Sequence, residues 1–197
     1  MKRLLLLVLL VAASVSSAET PTLNVRTAHN GPAEEQRKQQ IERLAQQYDL
    51  SKYTLTRDII VDRTAANHSY PVLTLNPRFL DDDDLALSAY VHEQGHWVLM
   101  ERHRQHMQPL FADLRRIVRN MEYQKPQGDG TLRSSYYHLV VIMLEWRAME
   151  DLVGKERALR VMKWKQKDHY IAIYTAVLEH REEVQKIMDR YYIRWEK

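Results

Sequence analysis

Cysteine is absent from this chain of 197 residues. Without thiols there is no disulfide framework, no thiolate metal ligand and no cysteine nucleophile, so any reactive chemistry must use other side chains. Glycine is also scarce, with five residues in all. None of them belongs to a Gly-rich phosphate loop or a G-x-S-x-G elbow, which disfavours nucleotide-binding folds and hydrolases of the α/β class.

The chain also lacks an excess of charge once its first residues are set aside. Lys2 and Arg3, the apolar residues 4–13 and the small residues 15–18 are typical of a secretory signal peptide, and the apolar run is too short to span a bilayer. We therefore expect residues 1–18 to be removed and the mature protein to be exported, periplasmic or secreted, with no stable membrane anchor. Removal lowers the Lys+Arg count from 29 to 27 against 26 Asp+Glu, so no electrostatic case for nucleic-acid binding remains.

Hydrophobic periodicity predicts an α+β protein that is mainly helical, with an extended N-terminal arm (19–32) before a single domain (33–197). Six helices are expected, at residues 33–48, about 85–104, 109–123, 134–153, about 155–167 and 169–195. Two or three short strands are expected between the first two helices, within residues 53–56, 59–61 and 70–75. Pro71 has no backbone N–H to donate to a neighbouring strand, so we expect the last strand to lie at a sheet edge. An extended peptide could add to that edge as a further strand.

The most informative motif is His92-Glu93-Gln94-Gly95-His96. On a helix, histidines four residues apart share one face and can hold one metal ion, with the glutamate beside a bound water. An imidazole pair that faces the interior is costly unless a partner such as a metal satisfies it. Gly95 costs about 1 kcal/mol of helix propensity, and we read it as allowing close approach of another backbone or of a substrate.

A third ligand is expected from the helix at 134–153. Glu145 lies on its apolar face with His138, and a lone carboxylate there must be neutralised by a cation. Glu145 is therefore the predicted ligand, with Glu150 as the reserve. The metzincin spacing is excluded because Arg102 stands where that pattern places its third histidine.

With these residues the chain resembles the gluzincin class of zinc metallopeptidases. The matching segments are the motif at 92–96 and the tetrapeptide Glu145-Trp146-Arg147-Ala148, in which the alanine is typical, although Met149 replaces the usual aspartate. The resemblance implies a zincin-like fold and a peptide or protein substrate. It also implies one Zn²⁺ on His92, His96 and Glu145.

The expected chemistry is hydrolysis by a metal-activated water, with Glu93 as the general base. His138 and Tyr170 are the predicted catalytic residues that stabilise the oxyanion, and His169 and Tyr174 are alternatives. Two other functions stay open at this point. One is an exported, non-catalytic binding domain with a structural or vestigial metal, and the other is a zinc amidase acting on cell-wall peptides.

Overall fold

The computed structural model describes residues 22–196, so the predicted signal peptide (1–18) lies outside the described residues. It confirms a mainly helical α+β protein. Seven α-helices lie in the described part of the chain: α1 (Pro32–Gln47), α2 (Asp83–Arg102), α3 (Met107–Ile117), α4 (Leu132–Val153), α5 (Lys155–Lys165), α6 (Ile171–Glu179) and α7 (Arg181–Arg190). Within residues 22–196, no helix combines the length and the apolar character needed to cross a bilayer.

A three-stranded parallel sheet accompanies the helices, in the order β1 (Asn24–Thr27), β2 (Asp58–Val61) and β3 (Leu73–Leu75). β1 falls inside the segment expected to be an arm, so that prediction is corrected: residues 24–27 belong to the sheet. Only Val25 of this strand is buried. A single inward side chain is too weak a periodic signal to mark a strand.

Residues 53–56 do not form the expected strand. Tyr53 ends a short 3₁₀ turn, and the backbone that follows pairs with a side chain instead of a neighbouring strand. The Gln94 amide accepts from Leu55 N at 2.8 Å and Thr56 N at 3.1 Å, and it donates to Thr56 O at 2.8 Å. These bonds satisfy the extended backbone, so β-type residues there need no ladder.

Two helix boundaries also differ from expectation. α3 ends at Ile117 rather than near 123, and the helix expected over 169–195 is divided at His180 into α6 and α7. His180 leaves the helical conformation with φ −115° and ψ 25°. Apolar residues continue at helical spacing on both sides of it, so the periodicity alone did not reveal the break.

The motif helix α2 packs against α4 at the centre of the molecule, and the two run antiparallel. The contacts give the direction: His92 meets Glu145 late in α4, whereas His96 stacks on Tyr137 early in α4. A Cβ added to Gly95 would lie 3.4 Å from Val141 Cγ1. The close approach expected at Gly95 is therefore made by side chains of α4, and not by another backbone.

Candidate metal centre

The motif side chains are positioned by a well-capped α2. Asp82 is its N-cap, and a side-chain oxygen of Asp82 accepts from Asp84 N and Leu85 N, each at 3.0 Å. Two turns further on, His92 and His96 share one face, with ring centroids 5.1 Å apart. His92 is 6% exposed. The predicted helical placement of the motif is confirmed.

The third imidazole of this face comes from α4 and belongs to His138. Its ring centroid lies 5.7 Å from that of His92 and 4.9 Å from that of His96. One ring nitrogen of each histidine lies within 4.8 Å of the other two. Ligand nitrogens around a tetrahedral ion are roughly 3.4 Å apart, so modest side-chain adjustment would close the set. We call these three residues the imidazole triad.

Hydrogen bonds hold two of the triad rings by Nδ1, and their Nε2 atoms have no hydrogen-bond partner among residues 22–196. His92 Nδ1 donates to Glu145 Oε2 at 2.7 Å, and His138 Nδ1 donates to the Ser134 carbonyl at 3.1 Å. Burial lowers the pKa of His138 to about 4 and holds that of His96 well below its usual value. Neutral imidazole with a free nitrogen is the form that binds a metal.

Glu145, which was predicted to be a metal ligand, makes hydrogen bonds to neighbouring side chains instead of facing the triad. Its side chain is fully buried, and its oxygens accept from Lys165 Nζ at 2.8 Å, Tyr174 OH at 3.2 Å, Ser88 Oγ and His92 Nδ1. Burial acts to raise its pKa, but the charge of Lys165 and the bond from His92 outweigh this and lower it well below the usual range.

The sequence argument that a cation must neutralise Glu145 therefore holds, but the cation is the Lys165 ammonium group. With its oxygens already engaged, the carboxylate orients His92 rather than facing the triad. The reserve residue, Glu150, pairs with Arg181 away from the triad. No sequence feature singled out Lys165, because it lies between Lys163 and Lys167 on a helix rich in basic residues.

Glu93 faces the same cavity as the triad. The cavity has a volume of about 540 Å³ and is bounded by the triad residues His92, His96 and His138 together with Glu93, Tyr170 and the segment 66–70. Ser69 Oγ donates to Glu93 Oε2 at 2.6 Å. Among the described residues, Ser69 is the only hydrogen-bond partner of this carboxylate. Burial raises the pKa of Glu93.

Ser69 reaches Glu93 because its segment folds back over the sheet edge. β3 is an edge strand, as expected, although it begins at Leu73 and leaves Pro71 outside it; His68 pairs with Thr74 across that edge, with N···O distances of 3.1 and 2.8 Å. The expected addition of a peptide along β3 is therefore wrong, since the chain itself occupies that edge. Ser69, which follows His68 in this paired segment, instead places its hydroxyl beside Glu93.

The remaining predicted donors divide into two groups. Tyr170 and His169 line the cavity, whereas Tyr174 is fully buried against Glu145. Tyr170 has a left-handed backbone (φ 52°), its ring lies 4.6 Å from His138, and its hydroxyl donates to Asp129 Oδ1 at 3.1 Å. Burial raises the pKa of Tyr170, which keeps this hydroxyl a donor.

Comparison of the chain with protein-family models, with curated proteins and with solved structures gives no significant match.

Proposed function

We propose that this protein is an exported zinc-dependent hydrolase, and specifically a peptidase. The observation that carries the proposal is the convergence of His92, His96 and His138 beside Glu93 in one cavity. Three imidazoles leave one coordination position open, which is the composition of a catalytic zinc site rather than of a closed structural one. Export rests on the N-terminal sequence pattern alone.

Zinc suits the donor set better than other common ions. The three donors are neutral nitrogens, and imidazole binds zinc, copper, iron and nickel, whereas magnesium and calcium take oxygen ligands. Zinc needs no redox partner for hydrolysis, and the Glu145 bond to His92 supplies the usual carboxylate support for a ligating imidazole. The proposed site resembles that of gluzincins in taking its third ligand from a later helix. It differs because that ligand is His138 and not a glutamate.

The residues have separate tasks in the proposed reaction. His92, His96 and His138 would hold the zinc ion, which would supply a water of lowered pKa and polarise the scissile carbonyl. Glu93 accepts the proton of the attacking water and passes it to the leaving amine, while Ser69 fixes the orientation of its carboxylate. The Tyr170 hydroxyl has a single proton, which it donates to Asp129 in the free protein, so it must leave Asp129 to donate a hydrogen bond to the oxygen on which negative charge develops. His169 Nδ1 bonds to Asp168 Oδ2 at 2.6 Å, which leaves its other nitrogen for substrate.

Replacement of Glu93 by glutamine tests the proposal. Zinc-loaded Glu93→Gln should bind one ion as the unchanged protein does and should cleave a fluorogenic peptide library about 10²–10⁴-fold more slowly, because the proton acceptor is lost. Glu101→Gln is the matched control, since Glu101 lies on the same helix and is exposed.

Full cleavage by Glu93→Gln would remove Glu93 from the mechanism. Tight zinc binding without cleavage of any peptide by the unchanged protein would favour a structural or vestigial metal. Cleavage of cell-wall peptides alone would place the protein among zinc amidases.

A further inference from the structure

A second cavity lies beside the imidazole triad and takes no part in the chemistry described above. Its volume is about 480 Å³. Apolar side chains from α2, α3 and α4 form its walls, among them Leu99, Met107, Phe111 and Tyr137. Met100 is 44% exposed at its mouth. Methionine and aromatic walls of this kind fit an apolar group of variable shape.

Two residues that line this cavity, Tyr137 and Ser134, contact the metal centre. Tyr137 stacks on His96, with ring centroids 5.4 Å apart, and its hydroxyl donates to the His96 carbonyl at 3.2 Å. Ser134 also lines the cavity, and its carbonyl holds His138 Nδ1. The cavity is therefore separated from His96 by the Tyr137 side chain alone.

The charge at the cavity is positive. Arg104, in the 3₁₀ turn after α2, and Arg133, in the first turn of α4, both line it and are exposed. Its described walls include neither aspartate nor glutamate. Two guanidinium groups beside an apolar hollow are complementary to a ligand with an apolar body and a carboxylate, because arginine binds carboxylates with paired hydrogen bonds.

We propose that this cavity is the subsite for the C-terminal residue of the substrate. Its apolar walls take the side chain, and Arg104 and Arg133 bind the terminal carboxylate. The substrates are then peptides that end in an apolar residue. As a statement about substrates this inference rests on the proposed peptidase function, but binding in the cavity needs none of the metal ligands.

Calorimetric titration tests the subsite, with metal-free protein so that no turnover occurs. The probes are N-acetyl-Gly-Gly-Leu, its C-terminal amide and N-acetyl-Gly-Gly-Ala. The leucine acid should bind at least about tenfold more tightly than the amide, because the charged hydrogen bonds are lost in the amide. It should also bind more tightly than the alanine acid, which buries less apolar area.

Arg104→Ala and Arg133→Ala should each remove most of the preference for the acid over the amide. Arg119→Ala is the matched control, because Arg119 is exposed on the chain after α3 and does not line the cavity. Met100→Gln should reduce only the preference for leucine over alanine. Circular dichroism of each variant checks the fold.

Equal affinity for the acid and the amide would overturn the subsite, and so would a preference that persists in both arginine variants. A preference for alanine over leucine would overturn the apolar assignment. Failure of the peptidase proposal gives a different pattern: the probes bind as expected, but zinc-loaded protein does not cleave peptides.

Discussion

Within residues 22–196, two groups of side chains bring metal-binding atoms together, and they differ in the hydrogen bonds that those atoms already make. One is the imidazole triad, and the other is a cluster of His29, Glu34 and Asp62 beside the start of α1, in which Glu34 alone is buried. In both, one donor atom from each residue lies within 4.8 Å of the others. Proximity therefore does not distinguish them.

Hydrogen bonding does distinguish them. The Glu34 carboxylate accepts from the backbone N–H groups of His29, Gly31 and Arg63 at 2.9, 3.2 and 3.0 Å, and it contacts His29 Nδ1 at 2.9 Å. This carboxylate caps α1 and ties the turn before it to the end of β2. In the triad, by contrast, backbone and carboxylate partners occupy the Nδ1 atoms of His92 and His138 and leave Nε2 free. Unused lone pairs that face a cavity are the better indicator of a metal site.

The largest difference between the clusters should appear in zinc content. Loss of a triad ligand by His138→Ala should weaken zinc binding by more than about 100-fold, since even supporting residues of such sites contribute 10–100-fold. His29→Ala should leave the zinc content unchanged. Elemental analysis after dialysis against a weak chelator measures both. Full zinc in His138→Ala would remove this residue from the ligand set.

A smaller effect should separate the two buried carboxylates. Glu145→Gln should lower zinc affinity about 10–100-fold, because His92 loses its ionised acceptor, whereas Glu34→Gln should not alter it. Competition with a chelator of known affinity gives both values. Glu145→Asp retains the charge opposite Lys165 and checks that the loss is not merely unfolding. A loss as complete as that of His138→Ala would restore Glu145 as a direct ligand.

The smallest effect concerns stability in acid. Burial acts to raise the pKa of Glu34, but its N–H donors outweigh this and lower the pKa to about 2. Because the folded pKa lies below the usual value of 4.5, Glu34 stabilises the fold fully above pH 4.5. This contribution is lost as the pH falls toward 2.

Melting temperatures from pH 6 to pH 2 should therefore fall less steeply for Glu34→Gln than for the unchanged protein, and the variant should melt lower at neutral pH. Glu35→Gln is the control, since the neighbouring Glu35 is exposed. Identical slopes for Glu34→Gln and the unchanged protein would show that Glu34 makes no contribution to acid sensitivity.

The sequence was informative wherever the cause was local. The spacing of His92 and His96 within an apolar-periodic run correctly predicted one helical face. The last predicted strand does lie at a sheet edge, although Pro71 precedes it and is not part of the ladder. Each of these follows from residues within a few positions of one another, so one sequence was sufficient.

The pairings that the sequence could not supply are all between distant residues. Whether Glu145 meets a metal or Lys165 depends on how α5 packs on α4, and no local pattern encodes that contact. The same holds for Ser69, which reaches Glu93 only because residues 66–70 fold back along β3. His138 was expected near the metal from its position two turns before Glu145, but its assignment as a ligand required the antiparallel packing of α2 and α4.

X-ray absorption spectroscopy of the zinc-loaded protein counts the imidazoles around the ion and so tests the imidazole triad as the ligand set. We expect three imidazole nitrogens at about 2.0–2.1 Å and one further light-atom ligand. A shell of two imidazoles with a carboxylate, or protein that takes up no zinc, would contradict it.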